Sequence, residues 1–243
     1  MEEPKVIFEN EDFLVVDKPA GLMVHAARVS AKRRADTVRV NEPTLVDWLL
    51  ARYPEIHTVG DDPSLRPGIV HRLDKATSGV MLVAKTQASF ERLKRLFQEH
   101  RIQKTYFALV WGIPAKNQGI IDAPIGIKNG SLKRSVYSSK MAKAAITEYS
   151  VVKTMGDRAL LKVNPKTGRT HQIRVHLASI GHPIVGDALY GRKKQAAGLG
   201  RLMLHAGAIA FSGDSGSSFE FGSPLPAIFT RQGPPARLST GVF

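Results

Sequence analysis

The rhythm of apolar and polar positions changes several times along this chain, and each change marks an element. Val6-Ile7-Phe8 and Phe13-Leu14-Val15-Val16 are apolar runs of strand length, separated by the turn-prone Asn10-Glu11-Asp12. Lys18-Pro19-Ala20-Gly21 ends the second run. Thr44 stands as an N-cap before Leu45, Trp48, Leu49 and Tyr53, a spacing that predicts a helix. Over residues 87 to 100, Phe90, Leu93, Leu96 and Phe97 recur at helical spacing, with charges on the opposite, solvated face. Residues 104–110 alternate instead, which predicts a strand carrying Lys104 and Tyr106 on one face.

Residues 145–153 and 158–164 read as the arms of a β-hairpin about Met155-Gly156-Asp157. Thr170 opens a predicted helix with Ile173, Leu177 and Ile180 on its apolar side, stopped by Gly181 and Pro183. Residues 202–205, 208–211 and 219–221 supply further strands. Strands outnumber helices and often follow one another without a crossover helix. The expected architecture is therefore α+β: one domain over residues 1–243, a mixed and mostly antiparallel sheet with a few flanking helices and a cleft. A basic stretch, 26–42, reads as an exposed loop, and a Pro-, Gly- and Arg-rich tail, 225–243, as loosely ordered.

Composition narrows the partner. The 243 residues are 43% hydrophobic and 23% charged, as in ordinary globular proteins. Lys and Arg number 35 against 21 acids, a formal charge of +14, and such an excess favours a polyanion, with nucleic acid first. The absence of cysteine excludes disulfides, thiolate metal sites and cysteine nucleophiles. The acidic N-terminus has no apolar signal core, and no run approaches the roughly 18 apolar residues of a membrane span. A soluble, cytoplasmic protein without membrane contact is expected. No Walker loop, dinucleotide fingerprint or G-x-S-x-G elbow occurs, so no nucleotide cofactor is expected.

Two segments concentrate chemistry. His71-Arg72-Leu73-Asp74-Lys75-Ala76-Thr77-Ser78-Gly79 places a carboxylate on a Gly-ended turn between the apolar runs 68–70 and 80–84. Taken alone, an Asp beside Arg72 and Lys75 is usually structural. The hydroxyl and backbone donors at Thr77, Ser78 and Gly79 change that weighing. A cation in reach would keep Asp74 ionised as a nucleophile or base. The second segment, residues 164–176, runs from a Gly-containing turn into a helix start, where free N–H groups bind phosphate, and Arg169 and Arg174 add charge. His171 and His176 are five apart, off the i, i+4 face of paired helical metal ligands, so a structural or RNA-contacting role is expected rather than a metal. Tyr106 is by default a strand aromatic, but in a basic cleft it can stack on an extruded base. Residues 128–143 carry Lys128, Lys133, Arg134, Lys140 and Lys143 without an acid. With Arg33 and Arg34 of the 26–42 loop and Arg192-Lys193-Lys194, they form an expected phosphate-contacting surface, although each run alone reads equally as a solvated face.

Taken together, the chain resembles the RluA family of RNA pseudouridine synthases. The match runs in order through residues 15–25 (VVDKPAGLMVH), the HRLDKATSG stretch with Ala84-Lys85, Lys104-Thr105-Tyr106, residues 143–147, residues 167–191 (TGRTHQIRVHLASIGHPIVGDALYG) and residues 201–206. The resemblance implies the pseudouridine synthase fold, a long mixed sheet with the active cleft across its middle, and a reaction that needs no cofactor or metal. It implies that Asp74 is the catalytic aspartate, that Tyr106 is the active-site tyrosine stacking on the base, and that Arg174 is the arginine paired with the carboxylate. Arg72 matches the residue that helps displace the target nucleotide. Lys75, Lys104, Arg169, His171, Arg33, Arg34, Lys133 and Arg134 are the further expected RNA contacts. The implied activity is isomerisation of uridine to pseudouridine in structured RNA, tRNA or ribosomal RNA; a monomer is expected, although no residue pattern bears on oligomeric state.

The chain departs from the family in three places. Only a few residues precede the first strand, where many members carry an S4-type RNA-binding domain. The 26–42 loop is longer than usual, and Ala142 stands where glycine is common. The alternative from another class is a non-catalytic RNA-binding or ribosome-assembly factor on the same fold, which would have no need to keep Asp74, Tyr106 and Arg174 together. A nuclease reading lacks the carboxylate cluster of metal-dependent cleavage.

Overall fold

The computed structural model describes residues 2–26, 42–127, 133–138, 140–191, 200–213 and 216–230. Arg33, Arg34, Lys128, Arg192, Lys193, Lys194 and residues 231–243 lie outside the described residues.

The first unit is β1 (Lys5–Glu9) and β2 (Phe13–Lys18), an antiparallel pair. The Asn10 side chain closes their turn by accepting the N–H groups of Asp12 and Phe13. Helix α1 (Leu45–Arg52) starts at Thr44, whose capping box with Asp47 satisfies the first free N–H groups. Strand β3 (Ser78–Ala84) is buried along its whole length, as its unbroken apolar run requires. Helix α2 (Gln87–Gln98) follows, capped by Thr86 and Ser89, with Phe90, Leu93 and Leu96 on the buried side. Then come β4 (Gln103–Trp111), β5 (Gln118–Asp122), the short pair β6 (Gly126–Ile127) and β7 (Arg134–Ser135), and the hairpin β8 (Ile146–Met155) and β9 (Arg158–Pro165). Helix α3 (Gln172–Ser179), β10 (Leu204–Ser212) and β11 (Ser218–Gly222) complete the order.

Among the described residues the main sheet runs β1-β2-β3-β10-β4-β9-β8-β5, with β11 also paired to β10. One named pair, β3 with β10, is parallel and the rest are antiparallel, so the sheet is mixed and mostly antiparallel as expected. That parallel pair lies at residues 78–79 and 205–206, directly after the Asp74 turn. Gly79 makes it possible. Its φ is +115°, and a Cβ there would stand 2.1 Å from the Ala206 carbonyl oxygen.

The core is divided at the middle of the sheet. One cluster packs β1–β3 with α1 and α2, and another packs β4 and β9 with α3. Tyr106, on β4, packs against both. The cleft therefore opens where two apolar layers meet, and not on a loop.

Four expectations need correction. Residues 202–205 and 208–211 are not two strands; β10 is continuous through Gly207, where the register against β4 slips and a Cβ would strike the Phe107 ring at 2.6 Å. Helix α3 begins at Gln172 rather than Thr170, because His171 takes a left-handed backbone (φ 58°). Ile180 does not belong to its apolar face: it caps the helix and is part exposed, while Gln172, Arg174 and His176 are buried. The tail does not loosen at residue 225. A 3-10 turn at Ala227–Phe229 buries Phe229 completely, with the Arg201 guanidinium 5.8 Å from its ring centre. Among the described residues no helix is long and apolar enough to cross a membrane.

Candidate active site

The Asp74 turn is held from below. Its backbone closes through Thr77 N–H donating to the Asp74 carbonyl at 3.0 Å. The Lys75 carbonyl is fixed from two sides, by Gly21 N–H at 2.8 Å and by the ammonium of Lys18 at 3.3 Å. Lys18 is wholly buried, and its other two donors go to the Pro19 and Leu22 carbonyls, each at 2.8 Å. Burial, helped by the nearby Arg201 charge and opposed by Asp74 and Asp17, lowers its pKa to about 7. The Lys-Pro-Ala-Gly turn after β2 is thus a floor under the aspartate. His71, at the head of the motif, is also structural: its Nε2 accepts Leu82 N–H at 2.9 Å and its ring stacks on Phe97.

Above this floor, Asp74 Oδ2 accepts a hydrogen bond from Arg174 Nη1 at 2.9 Å and faces His171 Nε2 at 3.8 Å. The Asp74 side chain is 21% exposed, enough to meet a ligand. Arg174 comes from the first turn of α3. Its Nε and Nη2 grip Asp187 Oδ2 and Oδ1 at 2.8 and 2.9 Å, the two-pronged geometry that a guanidinium offers a carboxylate. Asp187 is fully buried and accepts the N–H groups of Leu189 and Tyr190 as well. Burial works against both charges, but the pairing wins: Arg174 is raised above, and Asp187 held below, its ordinary pKa. The Tyr190 ring lies under the Arg174 guanidinium at 5.2 Å.

A cleft of ≈ 690 Å³ opens over these groups. Asp74, Tyr106, Arg174, Arg72, Lys104, Arg169 and His171 all line it. Tyr106 pairs across β4 with Val163 of β9 on one side and Ala206 of β10 on the other. Burial first, and then the Asp74 charge, push its hydroxyl above the ordinary phenol pKa, so it stays protonated. Arg72 is exposed at the rim. Lys104 Nζ reaches the Thr167 carbonyl at 3.4 Å, and burial lowers its pKa. Arg169 Nε donates to the Ala144 carbonyl at 3.0 Å. Another groove, of ≈ 620 Å³ along α2, joins Asp12 and Glu91 with Arg92, Lys94 and Arg95, an exposed set of ion pairs without a buried acid.

Three expected RNA contacts do not line the cleft. Lys75 is exposed and ion-paired with Glu42. Lys133 donates to the Leu189 carbonyl at 3.2 Å, and Arg134 gives its backbone N–H to Tyr190 Oη at 3.0 Å. Both sit where the β6–β7 hairpin packs on residues 189–190. His176 is buried between Thr147 Oγ1 and the Ala123 carbonyl, a structural histidine. The expected phosphate-binding N–H at the start of α3 is partly spoken for: Arg169 N–H donates to Gln172 Oε1 at 2.9 Å.

Residue-by-residue reading missed Gln172, Asp187 and Tyr190. Gln172 ties the turn to β8 through the Ile146 carbonyl and Thr147 Oγ1. Asp187 had one available signal. An acid directly after Ile184-Val185-Gly186 is costly to bury without a cation, and Arg174 has more donors than Asp74 alone can accept.

Comparison with known proteins places this geometry. A family model described as RNA pseudouridylate synthase matches residues 12–179. An RNA pseudouridine synthase of Aquifex aeolicus is 44% identical over 193 residues, 79% of this chain and 57% of the relative. One from Chloroflexus aurantiacus is 43% identical over 213 residues, 87% of this chain and 62% of the relative. The chain therefore spans less than two thirds of the length of either. Ribosomal large subunit pseudouridine synthase D of Zymomonas mobilis is 37% identical over 235 residues, 91% of this chain and 69% of the relative. The structure of human RNA pseudouridylate synthase domain containing 1 superposes with a TM-score of 0.74 at 28% identity, covering 93% of this chain and 84% of that one. The fold is the α+β pseudouridine synthase fold, and with sequence and structure agreeing over most of its length the chain belongs to the RNA pseudouridylate synthase family.

Proposed function

We propose that this protein isomerises specific uridines of structured RNA to pseudouridine, with Asp74 as the catalytic nucleophile. The observation that carries the reading is the 2.9 Å contact of Arg174 Nη1 with Asp74 Oδ2, beside Tyr106 in a basic cleft. A surface acid needs no arginine whose Nε and Nη2 are spent on a buried carboxylate. An acid that must stay ionised and aimed does.

The target nucleotide first leaves its stack, at a cost of a few kcal/mol in a duplex and less in a loop. Arg72 at the rim fills the space it vacates, and Tyr106 stacks on the extruded base. Lys104 and Arg169 hold the backbone. Asp74 attacks the ribose or assists elimination there, and in both routes the glycosidic bond breaks with its electron pair on the uracil. The uracil turns and rejoins through C5, which displaces Asp74 from the ribose as a free carboxylate or, on the elimination route, adds to the ribose double bond as the proton taken from the ribose is returned. The C5 proton leaves the ring and N1 gains one, so the product has the substrate's mass. The protonated Tyr106 hydroxyl stands beside the base as a proton-handling group.

The large-subunit ribosomal RNA named for the relatives from Zymomonas mobilis and Nitrosomonas europaea is the RNA class we propose, ahead of tRNA. Site-resolved mapping of pseudouridine in total RNA, with and without this protein, tests both steps of the reading. The expected result is one or a few ribosomal positions that appear only with the protein. Identical maps would contradict the activity, and a change confined to tRNA would contradict the substrate.

A further inference from the structure

His171 connects the cleft to the β6–β7 hairpin. Its Nδ1 lies 2.9 Å from Tyr190 Oη, its Nε2 lies 3.8 Å from Asp74 Oδ2, and Tyr190 Oη receives the backbone N–H of Arg134 at 3.0 Å. The far end of this chain fixes its polarity. A backbone N–H can only donate, so Arg134 occupies a lone pair of the Tyr190 oxygen. The phenolic hydrogen then needs an acceptor, and among the described residues His171 Nδ1 is the one in reach. If Nδ1 carried the proton instead, the Tyr190 hydrogen would have no partner in a half-buried site. The bare Nε2 lone pair would also point at the Asp74 carboxylate. Both penalties fall on the same tautomer. A doubly protonated ring is disfavoured as well. Burial is the largest influence on the His171 pKa and lowers it; Asp74 and Asp187 favour the cation, Arg174 and Arg134 oppose it, and the net direction is down.

We infer that His171 is held as the neutral Nε2–H tautomer and is a positioning residue that turns a second N–H, beside Arg174 Nη1, towards Oδ2 of Asp74. At 3.8 Å this is an ion–dipole contact rather than a hydrogen bond. Among the described residues, both groups that face the carboxylate lie on Oδ2, which leaves Oδ1 to meet the ribose. As charge leaves Asp74 and returns to it during turnover, the His171 N–H stabilises the charged form. This consequence rests on Asp74 being the nucleophile; the tautomer does not.

Long-range proton–nitrogen correlation spectra of the full chain without RNA read the tautomer directly, with the His171 signals assigned by their loss in His171→Gln. The expected pattern at neutral pH is a bare Nδ1 and a protonated Nε2. A protonated Nδ1 with bare Nε2, or an imidazolium, overturns the inference. Tyr190→Phe is expected to average the two nitrogens, and an unchanged spectrum would remove Tyr190 from the account. In turnover, His171→Gln keeps an N–H at the ε position and His171→Leu does not, while both carry the same left-handed backbone strain. We expect His171→Leu to lower kcat about tenfold more than His171→Gln with KM for RNA unchanged. Equal losses would make His171 merely structural. The spectrum needs no catalysis, so a correct tautomer in a protein that makes no pseudouridine would overturn the function and leave this inference standing.

Discussion

Arg174 and Asp187 are locked edge to edge, Nε to Oδ2 at 2.8 Å and Nη2 to Oδ1 at 2.9 Å, with the carboxylate wholly buried. Two of the five guanidinium N–H groups are thereby taken and its plane is fixed, which sets the directions of the Nη1 N–H groups, and one of these meets Asp74. The arginine is aimed by an acid 13 residues along the chain, on the far side of a turn.

Removing either partner should do more harm than swapping its neighbours. Asp187→Ala strands a buried guanidinium, and a broken buried pair costs about 3–5 kcal/mol of stability. Urea unfolding checks that value. Arg174→Lys should not rescue Arg174→Ala in product formation, because an ammonium cannot hold two carboxylates in one plane. Near wild-type turnover in Arg174→Lys would show that charge alone suffices.

Tyr106→Phe separates stacking from proton handling. The ring remains, so RNA affinity should stay within a few-fold, while loss of the hydroxyl should lower turnover by about 10²-fold, the low end of general acid–base contributions. Tyr106→Leu should also weaken binding, by about 1–3 kcal/mol for the lost stacking. Equal affinities for the Phe and Leu variants would remove the base from the Tyr106 ring.

Lys18 predicts a pH dependence of stability. Its folded pKa is near 7, below the ordinary 10.5 of the unfolded chain. Between those values the unfolded chain binds a proton that the folded chain lacks, so this residue makes stability rise with pH from about 7 to 10.5, and its penalty is complete below 7. Lys18→Met should flatten that slope, at the expense of leaving the Pro19, Leu22 and Lys75 carbonyls without their donor. Urea unfolding of both proteins between pH 6 and 10 gives the comparison; parallel slopes would mean that Lys18 does not titrate there.

Gly79→Ala tests the seam of the sheet. A methyl group 2.1 Å from the Ala206 carbonyl oxygen, at a φ of +115°, must force β3 from β10 and take the Asp74 turn with it. Thermal unfolding should show a loss of roughly 4 kcal/mol or more, the exceptional end of single substitutions. A loss under about 1 kcal/mol, the usual size, would mean that the seam can part without harm.

The elements most legible in the sequence were those whose pattern is local. Thr44 announces α1 as an N-cap, Phe90, Leu93 and Leu96 announce α2 by their helical spacing, and β3 reads as a strand because all seven of its positions are buried. Strand β5 was not foreseen. Its Gln118-Gly119-Ile120-Ile121-Asp122 lies at the sheet edge, where Ile120 is 68% exposed beside buried Ile121, so the alternating burial leaves no alternation of residue type. Helix α3 starts two residues later than its pattern predicts because of the left-handed backbone at His171, and its buried side includes Gln172, Arg174 and His176, which a hydrophobic pattern places in solvent. In the site, Asp74, Tyr106 and Arg174 stood out through their motifs. Asp187 and Tyr190 did not, because their importance is a matter of which side chain they touch.

The central claim is that Asp74 does the chemistry and is not merely part of an RNA-binding surface. The most direct measurement is pseudouridine formation by Asp74→Asn on an RNA that the unaltered protein modifies, alongside its affinity for that RNA. No detectable product is expected, with affinity preserved within a few-fold, since Asn fills the same space beside Arg174 without a nucleophilic oxygen. Pseudouridine formed by Asp74→Asn at a rate near that of the unaltered protein would contradict it.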